Sequence, residues 1–155
     1  MPEFEYEGVD ELMELIAKLP DLATQAGQPA MTDAVLFLHG EIPEYPPALP
    51  ESSYVRTGTL GRRFTTNVEE NPLSIIGELG NNVNYAPWVV GDSFPGSEIN
   101  GVMKYQAKVH RGRWWQFNQV IDDNIERAWE VFDETFLPEF RDMIVKESGG
   151  KANAK

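Results

Sequence analysis

Three polar stretches hold the residue types that could bind or react. The first is Arg56-Thr57-Gly58-Thr59-Leu60-Gly61-Arg62-Arg63, where glycines, hydroxyls and guanidiniums alternate. Such a mixture can turn backbone N–H groups toward a phosphate, but the spacing is neither that of a Walker-type loop nor that of a dinucleotide fingerprint. The structural alternative is that Gly58 and Gly61 shape a turn leading into a strand at Phe64, while the arginines pair with acidic groups inside or between chains. The second stretch, Arg111-Gly112-Arg113-Trp114-Trp115, mixes bases with aromatics. That pattern can stack on single-stranded nucleic acid, form the hot spot of a protein interface, or simply anchor the helix that follows. The third consists of the two histidines, His39 and His110. Neither has a nucleophile partner, because the chain has no cysteine and no G-x-S-x-G elbow.

Acid pairs such as Glu69–Glu70 and Asp122–Asp123 do not stand out in a chain with 25 acidic residues, and two acids converging in a cleft cannot be seen from their spacing. Without cysteine there is neither a disulfide nor a thiolate metal site, and two histidines are too few for a His-rich zinc site. No cofactor or metal is expected. No apolar run approaches the roughly 20 residues that cross a bilayer. The opening Met-Pro-Glu-Phe-Glu is acidic and unlike a signal peptide, so no membrane partner is expected.

The charge, −12 overall, is unevenly spread. Residues 1–50 carry a net −9, with Lys18 their only base; residues 51–120 carry +1 and residues 121–155 carry −4. This balance disfavours tight binding of a phosphate backbone, which depends on Lys and Arg. It suits solubility and a surface that DNA passes without adhering.

At 155 residues the length predicts one domain, placed at 1–147, with 148–155 a disordered tail. Leu12, Leu15, Ile16, Leu19, Leu22, Ala23 and Ala26 recur at three and four residues and predict a helix. Asp10 is its expected N-cap, and Pro20 is expected to kink or split it. A second helix is expected from Pro29 to Gly40, apolar and buried through Ala34-Val35-Leu36-Phe37-Leu38. Four prolines within residues 43–50 predict a stiff extended strap, with Tyr45 and Leu49 to pack. Residues 63–68 and 73–79 read as strands joined by a turn at 69–72. Gly80-Asn81-Asn82 reads as a turn where positive φ is cheap. Tyr85 to Val90 is either a short helix with Pro87 in its first turn or a strand end, and 91–101 is a loop by composition. A long helix is predicted over about 117–147, bent or broken at Pro138, with aromatics on one face and acids on the other. The fold class is α+β: a small, mostly antiparallel sheet packed against a long C-terminal helix, with N-terminal helices.

The stretch Tyr54-Val55-Arg56-Thr57-Gly58-Thr59-Leu60-Gly61-Arg62-Arg63-Phe64, preceded by Tyr45-Pro46-Pro47, resembles the signature of the HK97 gp10-like tail-component proteins of tailed phages. So does Gly80-Asn81-Asn82-Val83-Asn84-Tyr85-Ala86-Pro87-Trp88-Val89-Val90-Gly91, followed by Gln106, His110 and Arg111 to Trp115. The likeness spans about residues 10–145. It implies a virion protein without catalysis, found at the head–tail junction or tail and in the host cytoplasm during assembly. It also implies a tail-completion or neck component forming a homo-oligomeric ring around the DNA channel, with other neck and tail proteins as partners and DNA passing nearby without specific binding. In this likeness Arg56, Thr57, Gly58 and Leu60 shape the loop entering the sheet, and Tyr85, Ala86 and Pro87 place a turn against it. Arg62, Arg63, Trp88, Phe94, Trp114 and Trp115 are the candidate interface residues. Phe94-Pro95 lies in a long loop, 91–103, that departs from the family pattern.

Acidic channel walls would keep the duplex from sticking. The acidic faces are therefore expected to point at the channel or solvent, with subunit contacts in the near-neutral middle. The competing classes are a small enzyme with a dispersed site, which would show a deep pocket of convergent polar groups, and an interaction module outside the virion.

Overall fold

The structure is a computed structural model that describes residues 8–48, 50, 56–71, 74–91, 98–99, 102–103 and 106–149. Its frame is a pair of long antiparallel helices, α1 (Val9–Gly40) and α3 (Phe117–Glu147). Lys18 Nζ donates to Glu147 Oε2 at 2.8 Å toward one end of the pair, and Thr135 Oγ1 donates to Asp33 Oδ2 at 2.8 Å further along. Beyond that, Ala34, Leu38 and Ala128 bury together, with Phe37, Ile121 and Phe132 packed against them. The buried stripe of α1 is Leu22, Ala26, Ala30, Ala34 and Leu38, every fourth residue. Its small side chains let the partner backbone approach closely.

The two N-terminal segments expected from the sequence are one uninterrupted helix. Pro20 and Pro29 lie inside α1 and Pro138 lies inside α3. All three occupy exposed positions, where a carbonyl that loses its N–H partner can be satisfied by water. The helix begins after Gly8, a left-handed residue with φ 87°, and Asp10 falls in the first turn instead of capping. There its charge faces the positive end of the helix dipole. The expected burial of 34–38 holds for Ala34, Val35 and Leu38, whereas Leu36 is exposed.

Strands β1 (Phe64–Asn71) and β2 (Ser74–Asn81) pair antiparallel, from Phe64 opposite Asn81 to Asn71 opposite Ser74. Residues 69–71, expected in the turn, continue β1 and leave only two residues to join the strands. Gly80 and Asn81 likewise belong to β2, and the positive φ expected there is not used. The hairpin rests mainly on α1, and Leu79 reaches the cluster shared by the two long helices. Gly77 permits this approach: a Cβ there would meet Val35 and lie 2.7 Å from Met31 Sδ. Across the same contact Gly27 leaves room for Ile75.

Helix α2 (Ala86–Val90) carries Pro87 in its first turn, where the missing N–H costs nothing. Within the stretch read as a loop, β3 (Glu98–Ile99) and β4 (Val102–Met103) form a second antiparallel ladder. The fold is α+β, with a long C-terminal helix and an antiparallel hairpin, as the sequence pattern predicts. No helix among the described residues is long and apolar enough to cross a membrane.

Candidate functional site: a basic aromatic pocket

Residues 42–48 leave α1 as an extended strap, and two arginines from elsewhere fasten it. Arg56 donates through Nη1 to the carbonyl of Pro46 and through Nη2 to that of Pro47 at 3.1 Å. Arg113 Nη2 donates to the Pro47 carbonyl as well, at 3.1 Å. Prolines suit this role, because they keep an acceptor while offering no N–H to compete. The Tyr45 hydroxyl accepts a hydrogen bond from the Gly61 N–H, and its ring lies 5.1 Å from that of Trp114. The Arg56 guanidinium sits 5.3 Å from the Trp114 ring centroid, a cation–π distance.

The loop between the strap and β1 folds on itself. Gly58, at φ 69°, takes a left-handed turn that other residues adopt reluctantly. Arg62 Nη2 donates to the Thr57 carbonyl at 2.7 Å, and the Thr57 and Thr59 hydroxyls bond each other at 2.7 Å. Leu60 is buried, and its carbonyl accepts from Asn81 Nδ2 at 2.7 Å. Asn81 Oδ1 in turn accepts from the Val83 N–H at 3.0 Å, which sets the approach to α2. Leu60, Phe64, Ala86 and Val90 form a core flanked by Trp114, Trp115 and Phe117.

Gln106 is completely buried and joins the two aromatic segments, donating from Nε2 to the carbonyls of Val89 at 2.9 Å and Trp114 at 3.1 Å. Ala107 N–H bonds the Trp88 carbonyl at 2.8 Å, and Arg111 Nε bonds the Gln106 carbonyl at 3.0 Å.

These segments enclose an open pocket of about 420 Å³. One wall is the loop Arg56 to Leu60; the other is made by Tyr85, Trp88 and Val89, with Tyr45, His110 and Trp114 closing it. Among the described residues no carboxylate lines it. Among the described residues its nitrogen bases are Arg56 and His110, so this acidic chain keeps a basic, aromatic cavity. Tyr85 and Trp88, at its mouth, are 43 % and 42 % exposed. His110 stacks edge-on against Trp114 at 5.9 Å, and its Nδ1 is buried with no hydrogen-bond partner among the described residues. Burial pushes the imidazole pKa below its ordinary value, and the charges of Arg113 and Arg56 push it further the same way.

Of the sequence-derived candidates, the structure gathers Arg56, Thr57, Gly58, Leu60, Tyr85, Trp88 and Trp114 at the pocket. Ala86 is buried beneath it, and Pro87 starts the helix that carries its second wall. Trp115 turns inward, its ring 6.0 Å from that of Phe64. Its Nε1 is buried with no partner among the described residues. Arg62 and Arg63 are exposed in a single 3-10 turn, Gly61–Arg63, outside the pocket lining. Phe94, with most of 91–103, lies outside the described residues. His39, weighed as a helix cap, is exposed in the last turn of α1. Of the arginines considered for a phosphate cradle, Arg56 and Arg62 bond backbone carbonyls instead. Sequence reasoning did not single out the bridging roles of Gln106 and Asn81; an isolated amide carries no periodicity that would mark it. Among the described residues no group of three or more histidines and acids could hold a metal ion.

Compared with family models, with curated proteins and with solved structures, the chain shows no match. The phage-tail likeness therefore rests on the residues quoted for it.

Proposed function

We propose that this protein is a structural component of a tailed phage or prophage virion, acting as a tail-completion or neck subunit in a ring around the DNA channel. One observation carries most weight. The two stretches on which the resemblance rests, Arg56 to Leu60 and Tyr85 to Trp88, are separated by a strand hairpin in sequence yet face each other across one pocket. Residues that share a family pattern for structural reasons are expected to meet in this way. The pocket's polar groups favour a structural role over catalysis. Arg56 braces the strap, the Thr57 and Thr59 hydroxyls bond each other, and the Tyr45 hydroxyl accepts from the loop backbone. Acids on the exposed faces of both long helices would line a channel or face solvent, repelling the duplex.

Electron microscopy of the purified chain, alone and co-expressed with candidate neck and tail proteins, tests this proposal. Closed rings with a central opening wide enough for duplex DNA are expected. Particles that never exceed a monomer or dimer under either condition would overturn it.

A further inference from the structure

We propose that the pocket receives the acidic, aromatic start of a second copy of this chain, so that neighbouring subunits are linked head to tail. The inference rests on the ring-subunit reading and supplies the contact that reading lacks.

The two surfaces complement each other in charge. Among the described residues the pocket lining holds the Arg56 guanidinium and no carboxylate, with Arg62 and Arg113 close by through their bonds to Thr57 and Pro47. Residues 1–16 carry six acids and no base, interleaved with Phe4 and Tyr6. They are complementary in apolar surface too. Val9, Leu12, Met13 and Ile16 fall at spacings of three and four residues on α1, and each is about half exposed or more. That stripe is exposed among the described residues, and Tyr85 and Trp88 stand partly exposed at the pocket mouth.

Reach requires the contact to come from another copy. At 1.5 Å per residue, α1 carries its start about 46 Å from Gly40. Tyr45, in the pocket wall, follows Gly40 by five residues and so lies within about 18 Å of it. The pocket is therefore about 28 Å or more from Val9, whereas Phe4 reaches at most about 18 Å from Val9. Helix α3 gives the same order independently: the Trp114 end abuts the pocket, and Glu147, at the opposite end, bonds Lys18 near the start of α1. The start of α1 and the pocket thus sit at opposite ends of each subunit. A repeated contact between them is heterologous, the type that closes into rings when the rotation permits.

The chain has no cysteine, which makes a directed cross-link clean. Phe4→Cys and Thr59→Cys proteins are mixed, oxidised mildly and resolved without reductant, beside each variant alone. The expected result is a covalent heterodimer well in excess of either homodimer. Adding Glu3→Lys, Glu5→Lys and Glu7→Lys to the Phe4→Cys chain should lower its yield about tenfold at low salt, and added salt should lower the original yield. These arm substitutions lie outside both core clusters, so their effect does not depend on whether a pocket variant folds. Heterodimer no more abundant than the homodimers, with native mass spectrometry of the same chains still showing an oligomer, would overturn this contact and leave the ring reading intact. No cross-link together with a monomer at every concentration would overturn both.

Discussion

Two clusters hold this molecule together, and they are made differently. Between the long helices, Ala34, Leu38 and Ala128 bury by periodicity, each helix laying one stripe on the other. At the pocket end, Leu60, Phe64, Ala86 and Val90 come from a loop, a strand and a five-residue helix, surrounded by aromatics from the strap and from the approach to α3. The first cluster needs only the right spacing. The second needs particular residues: Arg56 and Arg113 on proline carbonyls, Asn81 on Leu60, and Gln106 on Val89 and Trp114. A region fixed by so many specific hydrogen bonds tolerates fewer substitutions, and the distinctive sequence motifs fall there.

Breaking the second cluster should have the largest effect. Phe64 is 8 % exposed and stacks with Phe117 at 5.6 Å. Phe64→Ala should cost about 3–5 kcal/mol in chemical denaturation, by lost burial plus the cavity left behind. Next is the seam between hairpin and helix. Gly77→Ala would drive a methyl into Val35 and Met31 and should cost about 1–3 kcal/mol, the range for overpacking. A change of similar size from Gly80→Ala, in the same strand but with nothing within 4 Å of its Cβ, would contradict the role given to the seam.

A smaller effect separates the clusters by pH. His110 lies only at the pocket end, and burial first, then Arg113 and Arg56, lowers its pKa. The unfolded chain takes up a proton at this residue from about pH 6.5 downward while the folded ring stays neutral. Stability from this residue is therefore fully present above that pH, falls as the pH drops, and levels off once the folded ring is protonated too. In urea titrations between pH 7.5 and 5.5, approximate bounds on that window, the stability gap between the native chain and His110→Asn should change in this sense. A flat gap would remove the burial assigned to the imidazole. The smallest effect belongs to the helix pair. Through one exposed ion pair Glu147 raises the pKa of Lys18 and Lys18 lowers that of Glu147. Exposed pairs contribute little, so Lys18→Ala should leave the melting temperature within experimental error.

The same contrast explains what could be read before the structure. Periodicity placed α3 at its observed ends, because eleven apolar residues from Phe117 to Ile144 keep one face. It also marked the apolar residues of α1, yet local proline rules predicted a break that the packing against α3 overrides. The α2 turn was legible as one of two options because Pro87 fits a first turn and Trp88 to Val90 suit either state. Strand ends were misplaced because Glu69, Glu70 and Asn71 look like turn residues, whereas this end of β1 is exposed on both faces and takes polar side chains on either. Motif residues were picked out individually. That Arg56 and Trp88 share a pocket was not legible, because it depends on how the strap, the loop and α2 converge, and Gln106, which joins them, leaves no pattern along the chain.

The central claim is that the chain assembles into a ring through an interface that includes the motif pocket. Native mass spectrometry of the full chain over a concentration series tests it most directly, with the Glu3→Lys, Glu5→Lys and Glu7→Lys chain run in parallel. The account predicts a ladder of oligomers ending in one closed stoichiometry for the native chain, displaced toward monomer by the substitutions. A native chain that remains monomeric throughout the series, or a ladder that the substitutions leave unchanged, would contradict it.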